Sequence, residues 1–532
     1  MTRTNLARAG FTVFAFFLAS RILGWVRVAV LVRLFGNSAE GLAQLDAYYA
    51  AFRIPDLIYQ LVAAGAIASS MVPVLSDLLG KGESARAWRV ASAVCNIVLL
   101  SMTAAAAVMF VFAPQIVPVL VGGFDQVKMD KTIELTRLML LSPIFLSLGA
   151  VASSILNSEN RFGAAAIAPV VYNIGIIVCA IVLAPFIGIT GAAIGVVVGS
   201  VLHFGVQIPS LRGMFHWVPG IRTGDPMTRQ TLKMMLPRAL ALGLSQITFI
   251  VNTSLASGVV IISAGALTSS DGAVSFYNIA FNVLQIPLGI LAVPVGIVLL
   301  PALSRSRSGG DDKVFARMVV EAVRLLFWMT AFLVGVGIVL RTQTLHALLP
   351  GNDDLTSGVG LEQTSGVLAV FLLGLPAHAT NVILARAFYA GKDTRTPVII
   401  AMFSVVVNVV VSVATVDTLQ LQGLALGIAL GGWFDTIALI LILHRRVPEF
   451  RLEPMLGSLS FVVGAVIAGV IAFVVAGAVA AVGPSWSWLN AFLQVVIAGS
   501  AAGLGYLLYS RLVRLPELPR ALGLARSALR RA

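Results

Sequence analysis

Residues 10–35, GFTVFAFFLASRILGWVRVAVLVRLF, are interrupted by charge only at Arg21, Arg27 and Arg33. The run is long enough to cross a bilayer, because a spanning helix needs roughly 20 predominantly apolar residues. It does not read as a cleaved leader: it is too long, carries arginines inside the apolar stretch, and lacks a small-residue cleavage site with a mature domain behind it. It is expected to stay as the first span. Counting 1.5 Å per residue from Gly10 places Arg21 about 16 Å along the helix, near mid-membrane, with Arg27 about 9 Å beyond and Arg33 near the outer boundary. Charges at that depth cost several kcal/mol unless they are paired or face water, so they are the first place to look for function.

Runs of this kind recur along the whole 532-residue chain. About fourteen are read, near 10–35, 45–76, 88–113, 132–156, 162–186, 188–210, 234–257, 272–303, 315–340, 365–390, 396–416, 421–443, 456–482 and 487–510. Charged residues make up 11% and hydrophobic residues 58%, against about a quarter charged in a soluble domain, so the chain is an all-α polytopic membrane protein. The only cysteines, Cys95 and Cys179, fall inside spans, and the five histidines show no ligand spacing, so neither a disulfide framework nor a metal site is expected.

The net charge of +13 follows the membrane rather than a nucleic acid partner. Lys and Arg cluster before the first span, after spans two, four, six, eight, ten and twelve, and in the tail. The alternate loops hold only Lys128, Lys131 and Arg341. Both termini are therefore expected in the cytoplasm, in a multi-pass protein of a bacterial cytoplasmic membrane.

Two halves match in the same orientation at an offset of roughly 230 residues. Met71-Val72-Pro73-Val74-Leu75-Ser76 pairs with Leu299-Leu300-Pro301-Ala302-Leu303-Ser304, Pro55 with Pro287, Asn173 with Asn408, and Gly191 and Gly195 with Gly423 and Gly427. The expected organisation is a six-helix lobe over 1–215, a parallel six-helix lobe over 216–447, and two extra helices with a basic tail over 448–532. Two like bundles around a cleft are the geometry of alternating access.

Arg21 and Arg27 are the leading candidates to bind an anionic headgroup, because a guanidinium is permanently charged and matches phosphate oxygens bidentately. Arg33 reads as a snorkelling residue. Arg53, beside Pro55, divides evenly between binding and structure. Asp46 either pairs with one of these arginines or is an ordinary helix-start acid. Ser245, Thr248 and Asn252, then Asn278, Asn282 and Gln285, recur at helical spacing and would line a cleft or hold helices together. Glu134 with Arg137 and Glu321 with Arg324 read as mutually satisfied i,i+3 pairs. Asp435 has no local partner and is either a candidate cation or proton site or, equally, one side of a cross-helix pair. No G-x-x-x-x-G-K-[ST] loop and no catalytic constellation is present, so the expected activity is transport, not catalysis, without an organic cofactor. A coupling cation (Na⁺ or H⁺), the membrane potential or the substrate gradient would drive it.

Ala19-Ser20-Arg21-Ile22-Leu23-Gly24, Arg27, Phe35-Gly36, Asp46-Ala47, Ala51-Phe52-Arg53-Ile54-Pro55 and Val72-Pro73-Val74-Leu75 resemble the MurJ/MviN family of lipid II flippases. Ile155-Leu156-Asn157, Asn160-Arg161-Phe162, Ala168-Pro169 and Asn173 extend the likeness, as do Phe388-Tyr389, Asp393 and Thr396-Pro397. The resemblance implies a V-shaped pair of six-helix lobes around a cationic cavity. Such a cavity moves an undecaprenyl-pyrophosphate-linked disaccharide-pentapeptide from the inner to the outer leaflet, with Arg21 and Arg27 at positions needed for function. The match is incomplete: Tyr59-Gln60 replace a basic pair common in the family, Val28 and Ala64 replace acids, and Ala280 replaces an arginine. The residues thus leave three classes open. They are a flippase of peptidoglycan precursor, a cation-coupled exporter of drugs or another polyprenyl-linked glycan, and a non-transporting scaffold for wall-synthesis proteins.

Overall fold

The computed structural model describes residues 3–62, 66–221, 224–260, 262–263, 266–267, 271–349, 359–482 and 488–529, almost all of them helical. Among the described residues, twelve helices are long and apolar enough to cross a membrane. The other two expected spans are helical but are not among the twelve. The stretch 45–76 is split between short helices, and 234–257 lies in a helix whose first half carries Arg229, Lys233 and Arg238. Side chains such as Phe186, Phe403, Phe473 and Leu504 stand exposed on these helices, a surface that only lipid can cover.

The chain forms two compact units, Met1–Ser275 and Phe276–Ala532. In the first, the helices are α1 (Arg3–Phe35), α2 (Ala39–Ala51), α3 (Arg53–Val62), α4 (Ala66–Gly80), α5 (Ser84–Leu120), α6 (Gln126–Met139), α7 (Ser142–Ser158), α8 (Phe162–Ile187), α9 (Thr190–Gly205), α10 (Ile208–Leu211) and α11 (Pro226–Ser257). A two-residue hairpin pairs Ile262–Ser263 with Ala266–Leu267. Helix α8 packs on α1 and α9, α7 on α4, α5 and α9, α2 on α6, and α11 on α3, α4 and α5. Packing in lipid gains nothing from the hydrophobic effect and depends on close approach. A Cβ added to Gly175 of α8 would lie 2.8 Å from the Gly199 Cα of α9, so two glycines admit that approach.

The second unit holds most of α12 (Ala273–Pro287), then α13 (Val293–Ser308), α14 (Asp312–Val339), α15 (Arg341–Leu348), α16 (Val359–Ala390), α17 (Arg395–Leu419), α18 (Leu421–Arg446), α19 (Glu453–Leu456), α20 (Leu459–Val482), α21 (Trp488–Leu512) and α22 (Glu517–Leu529). One core joins α13, α14, α16 and α18 through Leu303, Phe315, Phe388 and Leu443. A second joins α14 to α20 and α21 through Trp328, Phe461 and Tyr506. There Trp328 Nε1 donates to Ser510 Oγ at 3.0 Å and Tyr506 Oη donates to the Trp328 carbonyl at 2.9 Å, which satisfies polar atoms that lipid could not.

Proline explains where the spans break. Pro55 has no N–H to give and its ring crowds the carbonyl four residues back, so the chain turns at Phe52 between α2 and α3. Pro287 and Pro294 bracket a π-helical segment, Leu288–Ala292, between α12 and α13. The helix ends also recur at the roughly 230-residue offset. Asn160 and Lys392 both adopt left-handed backbone, with φ of 59° and 61°. Each is followed by the same closing bond, Arg161 N to Leu156 O at 2.8 Å and Asp393 N to Phe388 O at 3.0 Å, the wide bond of a Schellman cap. Gly82 and Gly310 form a second such pair, closed by Glu83 N to Leu78 O and Asp311 N to Ser306 O.

Candidate functional site

Helix α1 presents the two deep arginines. Arg21 is exposed, and its guanidinium lies 5.4 Å from the Phe17 ring centroid one turn back. Arg27 is half-buried, in the electrostatic field of the phenols of Tyr48, Tyr49 and Tyr172. Among the described residues neither forms a salt bridge. Helix α1 is held against α8 by Asn173, whose Nδ2 donates to Pro169 O at 2.9 Å and to Ser20 O at 3.5 Å. Arg33 is also exposed.

Arg53 sits at the α2–α3 break and turns to α11. Its Nε donates to Thr253 Oγ1 at 3.0 Å and its guanidinium lies 5.3 Å from the Phe249 ring centroid. Asn252, on the same turn as Thr253, is fully buried. Gln60 lies beside Asp56 on α3. The side chain of Ser245 and position 64 lie outside the described residues.

Asp46 does not meet an arginine, and it is not a solvated helix-start acid. It is 0% exposed, with Oδ2 accepting from Gly272 N at 2.8 Å and Oδ1 accepting from Ser275 N at 2.7 Å and Ser275 Oγ at 2.6 Å. Lys128 of α6, also buried, brings Nζ to 3.9 Å from Asp46 and 2.5 Å from Asp271. Asp46 thus supplies the acceptors that backbone N–H groups at a helix start require, and Lys128 balances two carboxylates. With every oxygen engaged and no exposed surface, Asp46 is a structural lock in this conformation.

The second unit carries the remaining candidates. Asn278 is buried and half-buried Asn282 donates to its carbonyl at 2.8 Å, so Asn282 satisfies its amide on its own helix. Asp435 of α18 does have a partner, across to α16: Asn381 Nδ2 donates to its Oδ2. The other oxygen, Oδ1, is buried and has no hydrogen-bond partner among the described residues. Arg386, also on α16, was missed by sequence reasoning although it is a charge inside an expected span. Its Nη1 donates to Val293 O at 3.2 Å, and it lies where Gly296 leaves room: a Cβ there would fall 1.2 Å from that nitrogen.

Neither expected i,i+3 pair forms: Glu134 turns to the neighbour three residues on its other side, and Glu321 and Arg324 take partners far along the chain. Glu134 pairs with Lys131 at 2.9 Å, while Arg137 donates to Phe110 O at 3.1 Å. Glu321 pairs with Arg520 at 3.0 Å and Arg324 with Glu517 at 2.6 Å. Between spans, Asp393 organises the start of α17. Burial alone would raise its pKa, but hydrogen bonds from the Thr396 hydroxyl and N–H, the Arg446 guanidinium and the Arg395 N–H outweigh it and hold the carboxyl at about 2.

A multi-helix membrane body whose α1 guanidiniums have no salt bridge among the described residues, and whose α18 carries a buried carboxylate, has the makings of a polytopic transporter. Its fold is shared with a multidrug resistance MATE family transporter of the MOP superfamily in an inward-facing conformation, at a TM-score of 0.64 and 17% identity over 81% of this chain and 95% of that one. It is shared more fully with the structure described as "Lipid II flippase MurJ, inward closed conformation", at a TM-score of 0.77 and 24% identity over 94% of this chain and 98% of the other. The sequence profile of the family described as "Lipid II flippase MurJ" matches residues 31–497. Relatives include the "Lipid II flippase MurJ" of Burkholderia cenocepacia, 29% identical over 83% of this chain and 84% of that one. The "Probable lipid II flippase MurJ" of Rhizobium tropici is 30% identical over 83% and 81%. The chain belongs to the MurJ lipid II flippase family.

Proposed function

We propose that this chain is a transporter, not a catalyst, which moves lipid II from the cytoplasmic to the outer leaflet of the bacterial cytoplasmic membrane by alternating access, with both termini in the cytoplasm. Family membership supports the substrate. The observation that carries the mechanism is that Arg21 and Arg27 hold permanent charge within a span and, among the described residues, have no carboxylate to neutralise them. A charge kept there at a cost of several kcal/mol is accounted for by an anionic ligand, and pyrophosphate offers the matching pairs of oxygens. Arg53, Asn252, Asn278 and Asn282 are assigned supporting roles in the substrate path, and Asp435 with Asn381 the coupling-cation or proton site. The test is rescue of a bacterium depleted of its own flippase. Rescue by the wild-type chain and none by a normally abundant Arg21→Ala variant is the expected result; rescue by both would remove the proposal.

A further inference from the structure

In the second unit, a cavity of about 660 Å³ opens between three stretches distant in sequence: the first turns of α14, the segment behind α18 and the residues that open α22. Five cations line it, Lys313, Arg317, Arg324, Arg451 and Arg520, against two acids, Glu321 and Glu449. Two of the five are engaged already. Arg324 pairs with Glu517, which is wholly buried, and Arg520 pairs with Glu321, so these two pairs fasten α22 to α14 and fix one wall. Lys313, Arg317 and Arg451 are left exposed at the cavity, without a salt bridge among the described residues and with only Glu449 to offset them. An excess of Lys and Arg is expected on any cytoplasmic face. Their convergence from three segments on one concavity with apolar patches at Val320 and Pro448 is not.

We infer that this cavity binds a phosphate-bearing anion, grasped by Arg317 and Arg451. Guanidinium groups suit phosphate oxygens bidentately, and the fixed α14–α22 wall lowers the ordering needed on binding. The headgroup of an anionic phospholipid in the adjoining leaflet and a soluble phosphate ester share this chemistry. Basic pockets between helices at the cytoplasmic boundary are suited to such headgroups. Every residue lining the site belongs to the second unit and none is a deep arginine of α1, so it holds or falls independently of the proposed transport reaction.

The test uses the full chain purified in detergent, titrated with dioctanoyl phosphatidylglycerol, dioctanoyl phosphatidylcholine or glycerol 1-phosphate, with the thermal midpoint as readout. Phosphatidylglycerol should raise the midpoint and phosphatidylcholine should not. The exposed pair Arg317→Gln/Arg451→Gln should raise the half-saturating concentration about 25-fold, at about fivefold per arginine. Arg511→Gln/Arg514→Gln, which removes equal charge from outside the cavity, should stay within about twofold. Stabilisation by glycerol 1-phosphate that is lost in the cavity variant would identify a soluble ligand, and stabilisation by the lipid alone would identify the headgroup; either supports the inference. No stabilisation by either phosphate probe, or equal weakening in the two double variants, overturns it.

Discussion

Replacing Asp46 by Asn keeps the volume of the side chain but removes its charge and turns an amide NH₂ toward a site built entirely of donors. Asp46 accepts three hydrogen bonds from Gly272 and Ser275 and shares Lys128 with Asp271, all in a pocket where Asp46 is 0% and Lys128 4% exposed. Breaking a buried ionic cluster by removing one partner costs about 3–5 kcal/mol, because what remains is an uncompensated charge. Lys128→Met should cost a similar amount by leaving two carboxylates with no cation. The double variant Asp46→Asn/Lys128→Met removes both charges, so its loss should fall short of the sum of the single losses by at least about 2 kcal/mol. Equilibrium unfolding of the purified variants in detergent, with membrane abundance beside it, measures the cycle. Losses that add to within about 0.5 kcal/mol would refute the reading of this cluster as one coupled lock.

Arg21→Lys should be impaired yet partly active, because an ammonium still acts as a point charge but loses the two-pronged match to phosphate, and a transport assay on equal amounts of protein checks it. Gly296→Ala should destabilise the second unit by about 1–3 kcal/mol, because the new methyl takes the place of the Arg386 guanidinium, and Arg386→Met should relieve most of that loss in the double variant. Asp393→Ala should cost about 1–2 kcal/mol by uncapping α17, read as a lower thermal midpoint. Because the folded state holds Asp393 at about 2 against an ordinary 3.8, its contribution is fully present above pH 3.8 and is lost as pH falls toward 2. The difference between wild type and Asp393→Ala should therefore be flat from pH 5 to 8.

What sequence made legible was whatever depends on solvation or on local backbone chemistry. The spans follow from apolar length. The kinks follow from Pro55 and Pro287, which cannot continue a helix ladder wherever they sit, and the matched helix ends at Asn160 and Lys392 follow the repeat. Side-chain partners across the fold were a different matter. Glu321 and Arg324 are opposite in charge and three residues apart, yet pair with Arg520 and Glu517 instead, while Glu134 pairs with Lys131 before it rather than Arg137 after it. A near neighbour in sequence competes with every helix that tertiary packing brings close, and no spacing rule encodes that competition. Asp46 was read against the arginines because they dominate the first span, whereas its charged partner is Lys128 of α6, which only the fold brings to it. Arg386 could have been found by weighing every intramembrane charge alike.

The central claim is that the deep arginines of α1 hold the pyrophosphate of a lipid-linked glycan during its passage across the membrane. It is tested most directly by measuring lipid II exposed on the outer leaflet of a flippase-depleted bacterium that expresses either this chain or its Arg21→Ala variant at equal abundance. The account predicts that the wild-type chain restores outer-leaflet lipid II and that the variant leaves it confined to the inner leaflet. Restoration by the variant to the wild-type level would contradict it.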